Sequence, residues 1–309
     1  MASRIWRLQH PRECLEESLY QRRFNKTQGL GVTLRWLGLS LLDAAAHNQT
    51  LVVAGRWRAF NFEGCHDRGL WCYLAPITNC SVSVWDWEDI EAKDFKMPPV
   101  LPVPSQLTEQ GQLWWSATAM HMLMQPSLDI QARLRTIKAE IGWRDQMVGL
   151  HVRHGDSCAD VSRKPCLPSS SYFDKAESVA RRYQMQSIFL ATDDPQVVAE
   201  ASQRPGFRYT WIRADRGLFQ SHMYIEHRMN LGVVDRKGVS DLTFLDLFLL
   251  RECAAFVGTF GSHFSKVAYE LSVGQKGYFP PYASLDDPWS PLRPIASSRE
   301  CAGLQCLGR

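Results

Sequence analysis

No stretch of the chain reaches the roughly 18 consecutive apolar residues that a membrane-crossing helix needs, so no span is expected. Residues Met1 to Tyr20 lack the apolar core of a secretory signal. Charge of one sign is also missing. The 35 Lys and Arg against 32 Asp and Glu leave a net +3, too small and too evenly spread for a nucleic-acid binder. There is no G-x-x-x-x-G-K-[ST], which excludes a P-loop, and Gly29-Leu30-Gly31 lacks the rest of the dinucleotide fingerprint. The cysteines have no C-x-x-C spacing, so zinc is not expected. What is present is ordinary for a folded protein: 309 residues, 45% hydrophobic and 22% charged. That is enough chain for about two domains with a sizeable core.

Nine cysteines and three N-x-S/T sequons, at Asn25, Asn48 and Asn79, lean towards an oxidising secretory lumen. Cys65 with Cys72 or Cys72 with Cys80, Cys158 with Cys166, and Cys301 with Cys306 would each close a short loop. The cysteine count is odd, so at least one thiol is free or pairs outside the chain. A lumenal protein would need a targeting segment that this sequence does not show.

The pattern of elements is alternating α/β. Residues 29–46 read as a Gly-rich turn and an amphipathic helix, and Thr50 to Val53 as a short buried strand. Residues 54–90 are loop-dominated and end in a strand-like SVSVWDW, while four prolines mark 91–112 as irregular. Helices follow in WWSATAMHMLMQ and DIQARLRTIKAEIG. From Met147 the repeat is cleaner. Strands MVGLHV, SIFLAT, FRYTWI and AAFVGT alternate with helices YFDKAESVARRYQM, DDPQVVAEASQR, DLTFLDLFLLREC and SHFSKVAYELS. Strands alternating with helices imply parallel βαβ units, so the second half is expected to be a doubly wound, Rossmann-like domain, with the boundary near residue 145. Ligands of such sheets sit beyond the carboxyl ends of the strands.

Three of those ends carry polar clusters: Arg153-His154-Gly155-Asp156, Asp193-Asp194-Pro195 and Phe260-Gly261-Ser262-His263. Arg153 is suited to bidentate phosphate binding. Ser262, with the free amides opening the next helix, is suited to a second phosphate oxygen, and Gly261 to close backbone approach. Bland readings stand beside these. Asp193-Asp194-Pro195 has the form of an N-cap with Pro in the first turn, and Arg153 has structural ion-pair partners available in Asp156 or Asp193. Asp86 and Asp89 in WDWED are read as surface or turn residues rather than a metal pair.

HVRHGD (His151 to Asp156), FLATDDP (Phe189 to Pro195) and TFGSHFSKVAYEL (Thr259 to Leu271) resemble, in order and spacing, the three motifs of the α1,6-fucosyltransferase superfamily. GLGVTLRWLG resembles its Gly-rich opening turn and LWWSATAMHMLM its tryptophan helix, so the resemblance covers roughly residues 28 to 280. It implies a GT-B-like enzyme with two Rossmann-like domains: 1–145 on the acceptor side and 146–309 binding the GDP-sugar. The implied reaction is inverting, metal-independent transfer from GDP-fucose, with no other cofactor, to a GlcNAc-containing glycan or glycoprotein. The implied location is the secretory lumen, in the Golgi. Carried over by motif, Arg153 holds the β-phosphate of GDP, and His151 and Asp246 face the guanine. Ser262, His263 and the main chain at Gly29 to Gly31 complete the diphosphate site. Asp193 and Asp194 brace the pocket and Arg153.

The sequence also departs from the family. His154 stands at the second arginine of the first motif, within the GDP-sugar site. The Lys and Glu that deprotonate the acceptor in core-fucosylating enzymes fall at Ser157 and Val161, so Asp160, held in a Cys158–Cys166 loop, is the expected base and Asp156 the second candidate. The sequence shows neither the coiled coil nor the SH3-like module of the animal core enzymes, which leaves the acceptor open. Other readings are a protein O-fucosyltransferase or another GDP-sugar transferase, or a non-catalytic nucleotide- or glycan-binding relative.

Overall fold

In a strand buried on both faces, successive side chains must serve two different cores. The computed structural model, which describes residues 2–23, 29–54, 62–65, 69–80, 102–105, 108–158 and 166–290, shows this in β3 (Met147–Val152) and β4 (Ser187–Thr192), every residue of which is buried. Val148, Leu150, Val152, Ile188 and Leu190 face one core, built with α6 (Ser169–Arg182). Met147, Phe189 and Ala191 face the other, built with α9 (Arg236–Glu252) and α10 (His263–Lys276). Helices therefore cover both sides of the sheet.

The sheet is wholly parallel and ordered β5-β4-β3-β6-β7, where β5 is Arg208–Thr210, β6 Ala255–Gly258 and β7 Tyr282–Ser284. The chain builds outward from β3 through β4 to β5, then returns to build β6 and β7 on the other side. This is the doubly wound arrangement expected, and the winding reverses between β3 and β6. The carboxyl ends of those two strands flank the crevice where such folds bind ligands.

In the first half, α2 (Leu30–Ala46) crosses between two paired parallel strands, β1 (Leu19–Arg23) and β2 (Thr50–Ala54), making a small βαβ unit. The α/β class with parallel sheets is thus the one observed. Among the described residues that half also holds a short N-terminal helix α1 (Ala2–Gln9), α3 (Gly111–Leu123) and α4 (Leu128–Ile141). Ser127 caps α4 by accepting from Ile130 N–H, and Gly142 ends it at φ 62°, a conformation that favours glycine. α2 and α3 pack against α10, and one hydrophobic cluster runs through all three helices. The crossing is close: a Cβ on Gly274 would lie 2.5 Å from the carbonyl oxygen of Ala117.

Disulfides join Cys65 to Cys72 and Cys158 to Cys166, two of the expected short loops. The alternative Cys72–Cys80 pairing is not used: Cys80 bonds Cys14, 66 residues away. Spacing favoured the local pair, but packing brings the N-terminal segment beside Cys80. Among the described residues the free thiol is Cys253, buried against Gly149. Cys301, Cys306, Asn25, the SVSVWDW segment, Asp86 and Asp89 lie outside the described residues.

Candidate active site

His151 faces the α9/α10 side because it stands two residues on from Gly149 in β3, the strand position whose Cβ would meet Cys253 and Leu250. It is buried, its Nδ1 lies 2.6 Å from the Ser265 hydroxyl and its ring packs on Phe264 at 4.7 Å. Burial, and then the nearby Arg153, lowers its pKa to about 3, so the imidazole is neutral at physiological pH.

Arg153, just past the strand end, pairs with both Asp156 and Asp193 while keeping a quarter of its side chain exposed. Both structural partners foreseen for it are therefore real. Two carboxylates orient the guanidinium without exhausting its five N–H donors. Asp156 is 2% exposed, and its second oxygen accepts from Ile225 N–H at 2.7 Å, at the start of α8 (Ile225–Leu231). Both of its oxygens are engaged in holding Arg153 and α8. Between them, Gly155, which opens the short helix α5 (Gly155–Cys158), sits at φ 21°, and a Cβ there would lie 2.4 Å from Asp193 Oδ2 and 2.9 Å from Arg153 Nη1. Only glycine lets that turn close on the ion pair.

Asp193 also accepts from His154 N–H at 2.9 Å. Asp194 caps α7 (Pro195–Gln203) by accepting from Gln196 N–H at 2.8 Å, with Pro195 in the first turn. The N-cap reading therefore holds for Asp194, whereas Asp193 belongs to the Arg153 cluster. The His154 ring lies between Asp194 Oδ2 (3.3 Å) and the Leu167 carbonyl (2.9 Å), tying the β3 and β4 loops together. The Cys158–Cys166 bridge closes the loop that carries Asp160, which itself lies outside the described residues.

Across the crevice, Ser262 and His263 open α10. Asp286 takes the amides of Phe260 (2.7 Å) and Gly261 (2.8 Å), so part of the turn that the sequence offers to a phosphate already holds a carboxylate. The Gly-rich turn does arrive here. A Cβ on Gly31 would lie 2.6 Å from Phe264 N, and one on Gly29 would lie 2.8 Å from Glu226 Oε1. The start of α2 thus rests on the first turn of α10. Behind it, buried Arg35 reaches His263 Nδ1 (3.2 Å) and Glu270 (3.3 Å), and Glu270 also accepts from Trp289 (3.0 Å). Burial raises the Glu270 pKa and lowers that of Lys266, one turn into α10, to about 8.

Asp246 stands on the buried face of α9, its pKa raised to about 7 by burial against the opposing pull of Arg216. Arg216 is 4% exposed and hangs from three carbonyls: Thr192 at the end of β4 (2.9 Å), Ile212 (3.0 Å) and Ala214 (3.3 Å). Arg216, Arg35, Ser265, Lys266 and Asp286 were not singled out from sequence. Ser265 and Lys266 lie inside the third motif without having been assigned a role, the others are common residue types, and only the fold reveals the burial of Arg216, Arg35, Ser265 and Lys266.

Residues 98–289, which are 192 of the 309, match the family described as α-(1,6)-fucosyltransferase N- and catalytic domains. The α-(1,6)-fucosyltransferase of Drosophila melanogaster is 25% identical over 301 residues, covering 87% of this chain and 46% of the relative, so the chain spans about half the length of that protein. Among solved structures, fucosyltransferase NodZ from Bradyrhizobium is 16% identical with a TM-score of 0.41, covering 81% of this chain and 91% of that one. POFUT1 in complex with GDP is 12% identical with a TM-score of 0.38, covering 61% and 54%. The match over more than half of the sequence, spanning all three strand-end clusters that line the crevice, makes this chain a member of the α-(1,6)-fucosyltransferase family.

Proposed function

We propose that the protein transfers fucose from GDP-fucose to a GlcNAc-containing glycan, with inversion and without a metal, in the lumen of the secretory pathway, in the Golgi. The observation that carries the reading is the convergence of Arg153, neutral His151 and the opening of α10 at the sheet's switch point, in a member of this family. In this reading the two halves form a GT-B pair, residues 1–145 meeting the acceptor and 146–309 the donor. His151 and Asp246 meet guanine; Arg153, Ser262, His263 and the Gly29–Gly31 turn meet the diphosphate. Asp193, Asp194 and His154 brace that set.

Fucosyl transfer passes through an oxocarbenium-like state as negative charge grows on the leaving diphosphate. A guanidinium held by two carboxylates, with a helix N-terminus, stabilises that charge without reorganising. Asp160 takes the acceptor proton, because both oxygens of Asp156 are already committed. The three disulfides and the exposed sequon residues Asn48 and Asn79 support the lumenal location.

A second reading, a nucleotide-binding relative without turnover, is favoured by that commitment of Asp156 and by Ser157 and Val161 at the family's base positions. GDP release from GDP-fucose, measured with a GlcNAc-terminated N-glycan and with chitin oligosaccharides, separates the two. The enzyme releases GDP only with acceptor and is indifferent to chelator. Arg153→Ala lowers its turnover by about 10²–10³, and Asp160→Asn lowers turnover while leaving GDP affinity intact. GDP binding without release on either acceptor favours the second reading.

A further inference from the structure

Gly31 and Arg35 lie one turn apart on one face of α2, and His263 and Glu270 lie two turns apart on one face of α10. Gly31 seats α2 on the His263–Phe264 peptide. The next turn of α2 then delivers Arg35 behind that peptide, where it is buried. Arg35 Nε donates to Glu270 Oε1 at 3.3 Å, and Arg35 Nη1 lies 3.2 Å from His263 Nδ1. Trp289 Nε1 donates to the same Glu270 oxygen at 3.0 Å. The contacts run from a carboxylate that is 1% exposed, through a guanidinium of the other half of the chain, to an imidazole at the crevice.

Arg35 imposes a chemical state on that imidazole. A guanidinium carries only N–H donors and keeps its proton, so the ring nitrogen facing it must offer a lone pair. His263 Nδ1 is therefore the unprotonated nitrogen, and Nε2 carries the hydrogen. A proton on Nδ1 would set N–H against N–H and cation against cation. The same contact fixes the rotation of the ring. Arg35 cannot follow a moving imidazole without leaving the buried Glu270 carboxylate uncompensated, which is costly.

We infer that Arg35, braced by Glu270, is a positioning residue for sugar transfer: it holds His263 as a neutral imidazole whose Nε2–H donates to the leaving diphosphate. The inference rests on the GDP-sugar reading above, from which it takes the contact between His263 and the diphosphate. It adds the α2 residue that acts through His263 and so ties the first half of the chain to the leaving group. A donor already aligned when negative charge grows on the diphosphate needs no reorganisation at that moment. Arg35 itself touches neither sugar nor phosphate in this account; its effect passes through the imidazole.

The test uses the intact chain and calorimetric binding of GDP and GMP. GMP lacks the β-phosphate, so the ratio of the two affinities reads the diphosphate contacts, while GMP alone monitors the fold and the rest of the nucleotide site. Losing Arg35 by itself would strand the Glu270 charge, so the variant is Arg35→Met with Glu270→Gln. Lys266 feels Arg35 and Glu270 in opposite senses, and the paired change keeps its surroundings balanced. His263→Ala is expected to lower the preference for GDP about tenfold, the worth of one hydrogen bond to a charged group. The paired variant is expected to lower it roughly threefold or more at unchanged GMP affinity, and to lower it no further when His263→Ala is also present. That non-additivity is the signature of acting through His263. An unchanged preference, the same loss with and without His263, or a fall in GMP affinity in step with GDP overturns the positioning role and leaves the donor reading standing. A nitrogen NMR spectrum of histidine-labelled wild type needs no change at Arg35. The signals that vanish in His263→Ala should be those of an unprotonated Nδ1 and a protonated Nε2, and a protonated Nδ1 overturns the inference. Failure of wild type to bind GDP at all overturns the donor reading itself, and the inference with it.

Discussion

At the scale of single residues, burial decides chemistry. His151 and Asp246 are ordinary titratable groups in the sequence; removal from water holds the first neutral and pushes the second up to about 7. For Asp246 the sign follows directly. Its folded-state pKa lies above the ordinary carboxylate value of 3.8, so the folded protein binds the extra proton between those values and loses stability as pH rises through that window. To accept from guanine, as proposed above, the carboxylate must be ionised. GDP affinity should therefore rise as pH increases through about 7 and level off above it. Calorimetric titrations across that range should show the slope in wild type and its absence in Asp246→Asn. The same pH dependence in both proteins would assign the titration elsewhere.

At the scale of elements, the site depends on how closely two helix starts approach. The Gly-rich start of α2 meets the first turn of α10 at Gly31, where a side chain of any kind strikes the His263–Phe264 peptide. Gly31→Ala is expected to push α2 off that turn, costing about 1–3 kcal/mol of stability and weakening GDP binding at least several-fold. Thermal melts and GDP titration of the variant check both effects. A variant with wild-type GDP affinity would remove the turn from the proposed diphosphate site. Gly155 makes the parallel case within the β3 loop, where it lets the chain fold back onto the Arg153–Asp193 pair.

At the scale of the whole molecule, one core crosses from the first half to the second. α2 and α3 lie on α10, and α10 begins at the crevice, so packing remote from the site sets the angle at which its first turn arrives. Gly274 is where α10 and α3 come closest, with the Ala117 carbonyl 2.5 Å from where a Cβ would be. Alanine normally favours a helix over glycine by about 1 kcal/mol, so the effect of Gly274→Ala has a diagnostic sign. It should lower Tm by several degrees, because the clash with fixed backbone outweighs the gain in propensity. A raised Tm would mean that the helices separate at little cost.

The sequence alone determined the parallel α/β character of the second half. Buried parallel strands must read as short apolar runs, and their polar ends must carry the binding groups, so MVGLHV, SIFLAT and AFVGT with their following clusters were legible without coordinates. It also determined the family, through three motifs in order. What it left undetermined depends on long-range placement. β1 and β7 were not anticipated because they become strands by pairing with β2 and β6 rather than by pattern. Cys80 pairs with Cys14 rather than with near neighbour Cys72. Asp286, 25 residues beyond Gly261, fills amides that look open in sequence. Arg216, in a loop after β5, ends up buried on the carbonyl that closes β4, and nothing in its own segment marks it as buried. Local periodicity is written into the order of residues; which polar atoms lose their water, and what they then require of a ligand, follows only once distant segments pack.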